Sequence, residues 1–383
     1  MIVALFIGVA NGVQRGFWLS LLQYLGLFVG VLVGAGVAAP VADALNLHQT
    51  GRPIAGVVCL IVGGSLGSSI GFYLGQQVHR SLIRTESAWN VNRVLGAVVS
   101  GVAVIAVSWF LGLSFANGPS AVVAQQVQRS GILRTVDGIF PRPPGFLATV
   151  EQLLSGLPFP RVFAGLEPSY SPLTLPASID TAGVRAAAVA TVKVQSFGCG
   201  GIVTGSGFPV ANGYVITNAH VVSGTRGHTV ITQDGRSLRA TVVFFDSNRD
   251  VAIVSVPDLG IKPLPMVSGA RGTQGAVIGY PGGGNESENP AVIDDQVDAQ
   301  GRDIYNQGFV TRQIWILQAT VIPGNSGGPL VNLQGGVLGV VFAASSSDPS
   351  QAYALTDGEV QGDIQAGVGQ TAPVDTSAYS CAV

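Results

Sequence analysis

Three apolar runs, residues 17–39, 54–74 and 94–115, contain no Asp, Glu, Lys or Arg at all. Each reaches the roughly 20 residues a helix needs to cross the hydrocarbon core of a bilayer. A helix is the form such a run can take in lipid, because it satisfies every backbone polar group internally. A fourth run, residues 1–12, is apolar but short; it either crosses obliquely or lacks residues upstream. A cleaved leader does not fit, since further spans follow and no basic stretch precedes the first. Charged residues make up only 10% of the 383 residues, against about 25% in typical soluble domains. The lipid bilayer is therefore an expected partner. The net charge of -2, without any Lys/Arg-rich run, argues against nucleic acid.

The loops set an expected orientation. Arg80, Arg84 and Arg93 stand between the runs 54–74 and 94–115 against Glu86 alone, and Arg15 follows the short run 1–12. Arg52, between the runs 17–39 and 54–74, is balanced by Asp43. Positive loops stay in the cytoplasm, so everything after Phe115 is expected outside it. The cysteines agree with that placement. Cys59 lies inside an apolar run and reads as a small buried hydrophobe, while Cys199 and Cys381 flank the polar C-terminal part. A pair there fits a disulfide only in an oxidising compartment. Gly- and Ser-rich steps such as Gly63-Gly64-Ser65 predict close helix packing in lipid. No ionisable group lies within a run, which weakens any transport or proton-relay role.

From Ala116 to Asp180 the texture changes. Residues 121–134 and 146–157 have amphipathic character, but Pro141-Arg142-Pro143-Pro144 and the prolines from 158 to 176 break long elements. This stretch, 116–180, is expected to be an extracytoplasmic linker with short helices. From Thr181 onward, short Val/Ile/Thr runs alternate with Gly, Asn and Asp turns, the pattern of an all-β domain. The expected fold class is thus an all-α transmembrane bundle over 1–115, followed by an all-β pair of antiparallel barrels over 181–383.

Three segments of that β domain carry chemistry: Thr217-Asn218-Ala219-His220, Arg249-Asp250-Val251 and Gly324-Asn325-Ser326-Gly327-Gly328-Pro329. A serine hydroxyl needs an adjacent base to become nucleophilic. His220 supplies the base, and Asp250 fixes the ring's tautomer and stabilises its charged form. Asp246 and Asp258 are the rival carboxylates; Asp250, opening a strand, is preferred. The glycines around Ser326 allow a tight turn that aims the amides of Gly324 and Ser326 at one point, an oxyanion hole. His48, His79 and His228 are isolated and read as structural. No Cys/His cluster indicates a metal, and no cofactor is expected. The rival reading, a membrane scaffold with a protease-like binding domain, calls for a broken triad or turn, and neither is broken.

These segments resemble the trypsin-like proteases of the HtrA type. The helical part resembles the colicin V production protein (CvpA) family. The whole layout, with Gly279-Tyr280-Pro281-Gly282-Gly283-Gly284 and the two outer cysteines, is similar to the actinobacterial periplasmic acid-resistance proteases of the MarP type. The resemblance implies a chymotrypsin-like double barrel and a membrane-anchored periplasmic serine endopeptidase acting on protein or peptide substrates. It further implies a role in acid and oxidative stress, and a bond between Cys199 and Cys381. Asn325 departs from the aspartate that precedes the serine in zymogen-activated trypsins, so activation by a released N-terminal amine is not expected. The resemblance further implies that Thr320, six positions before the serine, lies near the floor of the S1 pocket, and that Phe342, Ala343 and Ala344 form its wall and pair with the substrate as an added strand. Without a carboxylate at Thr320, a neutral P1 side chain is expected.

Overall fold

The structure is a computed structural model that describes residues 2–45, 51–82, 86–116, 121–139, 162–168, 170 and 173–382. Arg84, the prolines at 141–144 and the amphipathic stretch 146–157 lie outside the described residues. The chain forms two compact units, Met1–Gly156 and Leu157–Val383, so the proline-rich stretch is divided between them.

The first unit is helical: α1 (Ile2–Arg15), α2 (Phe17–Ala44), α3 (Gly51–Leu82) and α4 (Glu86–Ala116), then α5 (Ala121–Gln128) and α6 (Gly131–Ile139). Three stretches, Phe17–Ala38, Ala55–Ser81 and Trp89–Trp109, are long and apolar enough to cross a membrane. The short first run is α1, 14 residues long, which packs along α4. Glycine decides how α2 meets α3. A Cβ on Gly30 would stand 2.1 Å from the Gly63 carbonyl oxygen, and one on Gly67 2.1 Å from that of Gly26. Small residues on both helices let the backbones touch, which gives dispersion contact where lipid supplies no hydrophobic drive. The amphipathic stretch 121–134 is split into α5 and α6, and the Trp109 indole donates to Asp137 Oδ1 at 3.2 Å, tying α6 to α4.

The second unit opens on α7 (Ala182–Ala190). Thr181 caps it, accepting from the Val184 amide at 3.1 Å and donating to the Leu333 carbonyl at 2.6 Å. Then come β1 (Val192–Gly198), β2 (Gly201–Ala211), β3 (Tyr214–Thr217), the one-turn α8 (Ala219–Val222), β4 (Thr225–Ile231), β5 (Ser237–Arg239), β6 (Thr241–Asp246) and β7 (Val251–Ser255). They form a curled seven-stranded sheet in the order β5-β4-β1-β2-β3-β7-β6. The later strands are β8 (Gln274–Gly279), β9 (Ser287–Arg302), β10 (Phe309–Gln318), β11 (Pro329–Asn332), β12 (Val337–Ala344) and β13 (Gln351–Thr356), with α9 (Asp357–Gly367) after them. These six strands close into a barrel, β10-β13-β12-β11-β8-β9.

Each sheet has its own core: Val194, Val215, Val230 and Val254 in the first, Val277, Ile293, Leu317 and Val341 in the second. A third cluster joins them, bringing Phe208, Ile216 and Ile253 against Ile278, Ile316, Phe342 and Tyr353. Each such side chain, when fully buried, stabilises the fold by about 1.5–3 kcal/mol. The seam between the sheets is therefore rigid, and the chemistry-bearing segments lie along it. Cys199, at the β1–β2 turn, is bonded to Cys381 across 182 residues of sequence.

Candidate active site

His220 sits on α8, immediately after β3, and Asp250 immediately before β7; β3 and β7 are paired in the sheet. The pairing brings the two residues together. Asp250 is fully buried and accepts twice from His220: from the backbone amide at 2.9 Å and, on Oδ2, from ring Nδ1 at 2.7 Å. Its backbone stands at φ +64, a conformation a non-glycine residue adopts at a cost, and the Asn218 side chain holds it there by donating to its carbonyl at 2.8 Å. With a proton on Nδ1 the other ring nitrogen is left as an acceptor, the state a general base needs. Asp246 is engaged elsewhere, accepting from the amides of Asn248 and Arg249 at 2.7 and 3.0 Å.

Ser326 lies in the loop between β10 and β11, almost entirely buried. Its turn abuts the strand end leading to His220. A Cβ on Gly327 would stand 2.5 Å from Thr217 Oγ1 and 3.1 Å from the Asn218 nitrogen. The Ser206 amide donates to the Ser326 carbonyl at 2.7 Å. Among the described residues no hydrogen bond joins Ser326 Oγ to His220; such bonds often tighten only once substrate is bound.

The turn's amides are oriented one peptide at a time. In a trans peptide the carbonyl and the following N–H point in opposite directions. The Pro323 carbonyl accepts from Gly282 at 2.7 Å, which turns the Gly324 N–H away from the 280–284 loop. The Asn325 carbonyl accepts from Gly328 at 2.9 Å, which frees the Ser326 N–H in the same manner. The Gly324 carbonyl is held by Ser206 Oγ at 2.7 Å, and that hydroxyl in turn accepts from the Tyr280 amide at 2.9 Å. Only glycine fits at 324. Its φ is +101, and a Cβ there would come within 2.3 Å of the Tyr280 carbonyl oxygen. Among the described residues neither the Gly324 nor the Ser326 amide donates to a protein acceptor.

Several supporting residues are silent in the sequence. Lys193 on β1 donates to the Gly283 carbonyl at 2.8 Å and lies over the Tyr280 ring at 5.3 Å, so it pins the loop that turns Gly324. Burial pushes the Tyr280 hydroxyl up to about 12, with Glu286 adding to it, which keeps the phenol neutral. Arg312 on β10 is buried beneath the loop carrying Asp250, donating to the carbonyls of Asn248 at 2.7 Å and Arg302 at 2.9 Å. Burial lowers its pKa, and the nearby Asp250 charge opposes that shift.

The residues expected to form S1 differ in exposure. Thr320 is exposed and lines a cleft of about 60 Å³ with Leu175, Asn289, Pro290 and Ser350. Phe342 and Ala343 are fully buried, with Arg312 5.8 Å above the Phe342 ring, and Ala344 is half-buried. A bulge at Phe342, between the pairs Val341↔Ala354 and Ala343↔Tyr353, turns that ring into the core. On the side facing β11 the register ends at Val340, and Val341 then bonds the serine turn, donating to the Gly328 carbonyl at 2.9 Å and accepting from the Gly327 amide at 2.8 Å, so the open edge at 342–344 begins beyond it. The buried side-chain amide of Asn325 has no hydrogen-bond partner among the described residues. No group of three or more His, Cys, Asp or Glu is placed to hold a metal among them either.

A curled antiparallel sheet and a closed barrel, meeting at a His–Asp pair and a glycine-bound serine turn, define a trypsin-like serine protease. Residues 205–340 match the trypsin-like peptidase domain, and residues 1–141 match the colicin V production protein family. Serine protease Rv3671c of Mycobacterium tuberculosis is 34% identical over 97% of this chain and 96% of its own length. The crystal structure of the active form of that protease superposes with a TM-score of 0.52 at 39% identity, covering 57% of this chain and 99% of that one. A probable periplasmic serine endoprotease, DegP-like, of Halomonas elongata is 34% identical over 39% of this chain and 32% of its own. The chain belongs to the family of serine protease Rv3671c.

Proposed function

We propose that this protease cleaves peptide bonds through Ser326, His220 and Asp250, with its catalytic unit in the periplasm and its helices in the inner membrane. Ser326 Oγ attacks the scissile carbonyl while His220 Nε2 takes the proton. The carbonyl oxygen, now an anion, is held by the amides of Gly324 and Ser326. His220 then returns the proton to the leaving amine, and water repeats the sequence on the acyl-enzyme. The substrate strand adds to the open edge at 342–344, and a neutral P1 side chain enters beside Thr320. The residues require no metal or cofactor for these steps. The observation that carries the reading is the double hydrogen bond from His220 to the buried Asp250.

Two supports come from outside the site. The likeness to the acid-resistance proteases favours a role in survival of acid and oxidative stress. The Cys199–Cys381 bond favours an oxidising compartment. For the reaction, cleavage of a denatured protein substrate by the full chain should vanish in Ser326→Ala and His220→Ala alike, since the triad acts as a unit. For the topology, a reporter fused after Phe115 should be active only outside the cytoplasm; activity confined to the cytoplasm would overturn the orientation.

A further inference from the structure

Glu167 lies ahead of the barrels, in the stretch whose prolines read as linker, yet it is only 8% exposed. The segment around it is anchored in the catalytic unit. Val162 and Ala164 are buried, the Ala164 amide donates to the Gln300 carbonyl at 2.8 Å, and the Phe163 ring meets Tyr353 edge-on at 5.5 Å. A buried carboxylate is costly unless its oxygens are hydrogen-bonded. Here the loop after β12 donates four hydrogen bonds to it, and the buried Tyr353 side chain on β13 bonds it as well. The hydroxyls of Ser345 and Ser347 donate to Oε2, the latter at 2.9 Å. The amide and hydroxyl of Ser346 donate to Oε1 at 3.1 and 3.2 Å. Ser345 Oγ also accepts from the amides of Ser347 and Asp348 at 3.1 and 3.0 Å, so the carboxylate fixes the turn through it.

The position of that loop gives the contact its consequence. It begins directly after the open edge at 342–344. It ends at Ser350, whose carbonyl accepts from the Ala319 amide at 2.8 Å beside Thr320. Ser350 and Leu175, the latter from the same pre-barrel stretch as Glu167, both line the cleft at Thr320. The loop thus bridges the two places where substrate is read, and its conformation is held by a charge that the barrels do not themselves contain.

We propose that Glu167 is a positioning residue for substrate binding: delivered from ahead of the barrels, it holds the 345–350 loop, and with it the substrate-pairing edge and the cleft at Thr320. The proposal rests on the reading that these two places receive the substrate. It makes the stretch around Glu167 part of the specificity apparatus rather than a tether. The catalytic groups themselves are untouched by Glu167, so its loss should act on binding and selectivity and leave the nucleophile intact.

The test uses the full chain in detergent micelles, with Glu167→Ala, the near-isosteric Glu167→Gln, and Ser326→Ala as control. Peptide substrates differing only at P1 report KM and kcat, and a small fluorophosphonate reports nucleophile reactivity. In Glu167→Ala, KM is expected to rise about tenfold, the equivalent of losing charge-assisted hydrogen bonds. The preference among P1 side chains should flatten, kcat and the labelling rate should stay within about twofold, and Glu167→Gln should fall between the two. Unchanged KM and P1 preference in both variants would overturn the proposal. So would parallel losses of kcat, labelling and melting temperature, which mark a merely structural contact. Labelling that persists in Ser326→Ala would instead refute the catalytic reading beneath it.

Discussion

Asp363 shows how one buried carboxylate can tie this protein's stability to acid. It is 5% exposed, and burial pushes its pKa up to about 6, with Asp246 adding to the shift and Arg249, 3.6 Å away, opposing it. Unfolded, the group titrates near 3.8. Between these values the folded state binds the extra proton, so the contribution of Asp363 is most favourable below about pH 4 and falls as pH rises through about 6. The difference is about 1–3 kcal/mol. Asp363→Asn, which mimics the protonated form, should therefore melt higher than wild type at pH 7.5 and no higher at pH 4. An equal loss at both values in thermal scans would show that the ion pair to Arg249 dominates instead. His228 works in the opposite sense: burial lowers its pKa, so its contribution is lost as pH falls below about 6.5. The residues proposed to touch the reacting atoms could be named from the sequence because their chemistry restricts the choice to Ser, His and a carboxylate at recognisable turns. Lys193, Ser206, Arg312 and Glu167 could not. Each acts by where the fold delivers it, and nothing in its neighbours along the chain marks that place.

Among the elements, strands such as β7 and β12 were legible from their dense Val and Ile. β9 was not. Its 16 residues include Glu288, Asp294, Asp295 and Asp298, and it is held as a strand by pairing with both β8 and β10. The glycine-rich β2 and the helix α9 were equally hidden. α9 starts at a Thr356 cap that accepts from the Glu359 amide at 3.1 Å, inside what reads as a β domain. The fold of the stretch before the barrels was hidden by its prolines, which forbid regular elements without forbidding burial. The 280–284 loop gives the element scale its own prediction. Its Gly282 amide turns the Pro323–Gly324 peptide, and Lys193 pins it from β1. Lys193→Met should let that peptide reorient and cost about tenfold in kcat, less than the hundredfold or more lost with a whole oxyanion donor. KM should change little, and affinity for a peptide boronic acid should fall in step with kcat. Lys193→Arg should restore part of both. A rise in KM with unchanged kcat would show that the loop serves binding instead.

Across the whole molecule, the apolar helices and the split composition announced a membrane part and a β part, and the family match spans both. The catalytic unit is closed covalently from the β1–β2 turn to the C-terminal tail by Cys199 and Cys381. Removing such a bond costs about 2–5 kcal/mol. For a unit of this size that lowers the melting temperature by roughly 5–15 °C, which calorimetry of Cys199→Ser should register. An unchanged melting temperature would deny the bond a stabilising role. The proposed role of Ser326 is that of the nucleophile, presented at the seam between the two sheets. Its most direct test is to label the full chain with a fluorophosphonate, digest it, and locate the adduct by mass spectrometry. One adduct per chain on Ser326, lost in Ser326→Ala and suppressed in His220→Ala, is the predicted result. An adduct on another residue, or labelling that survives the loss of Ser326, would contradict it.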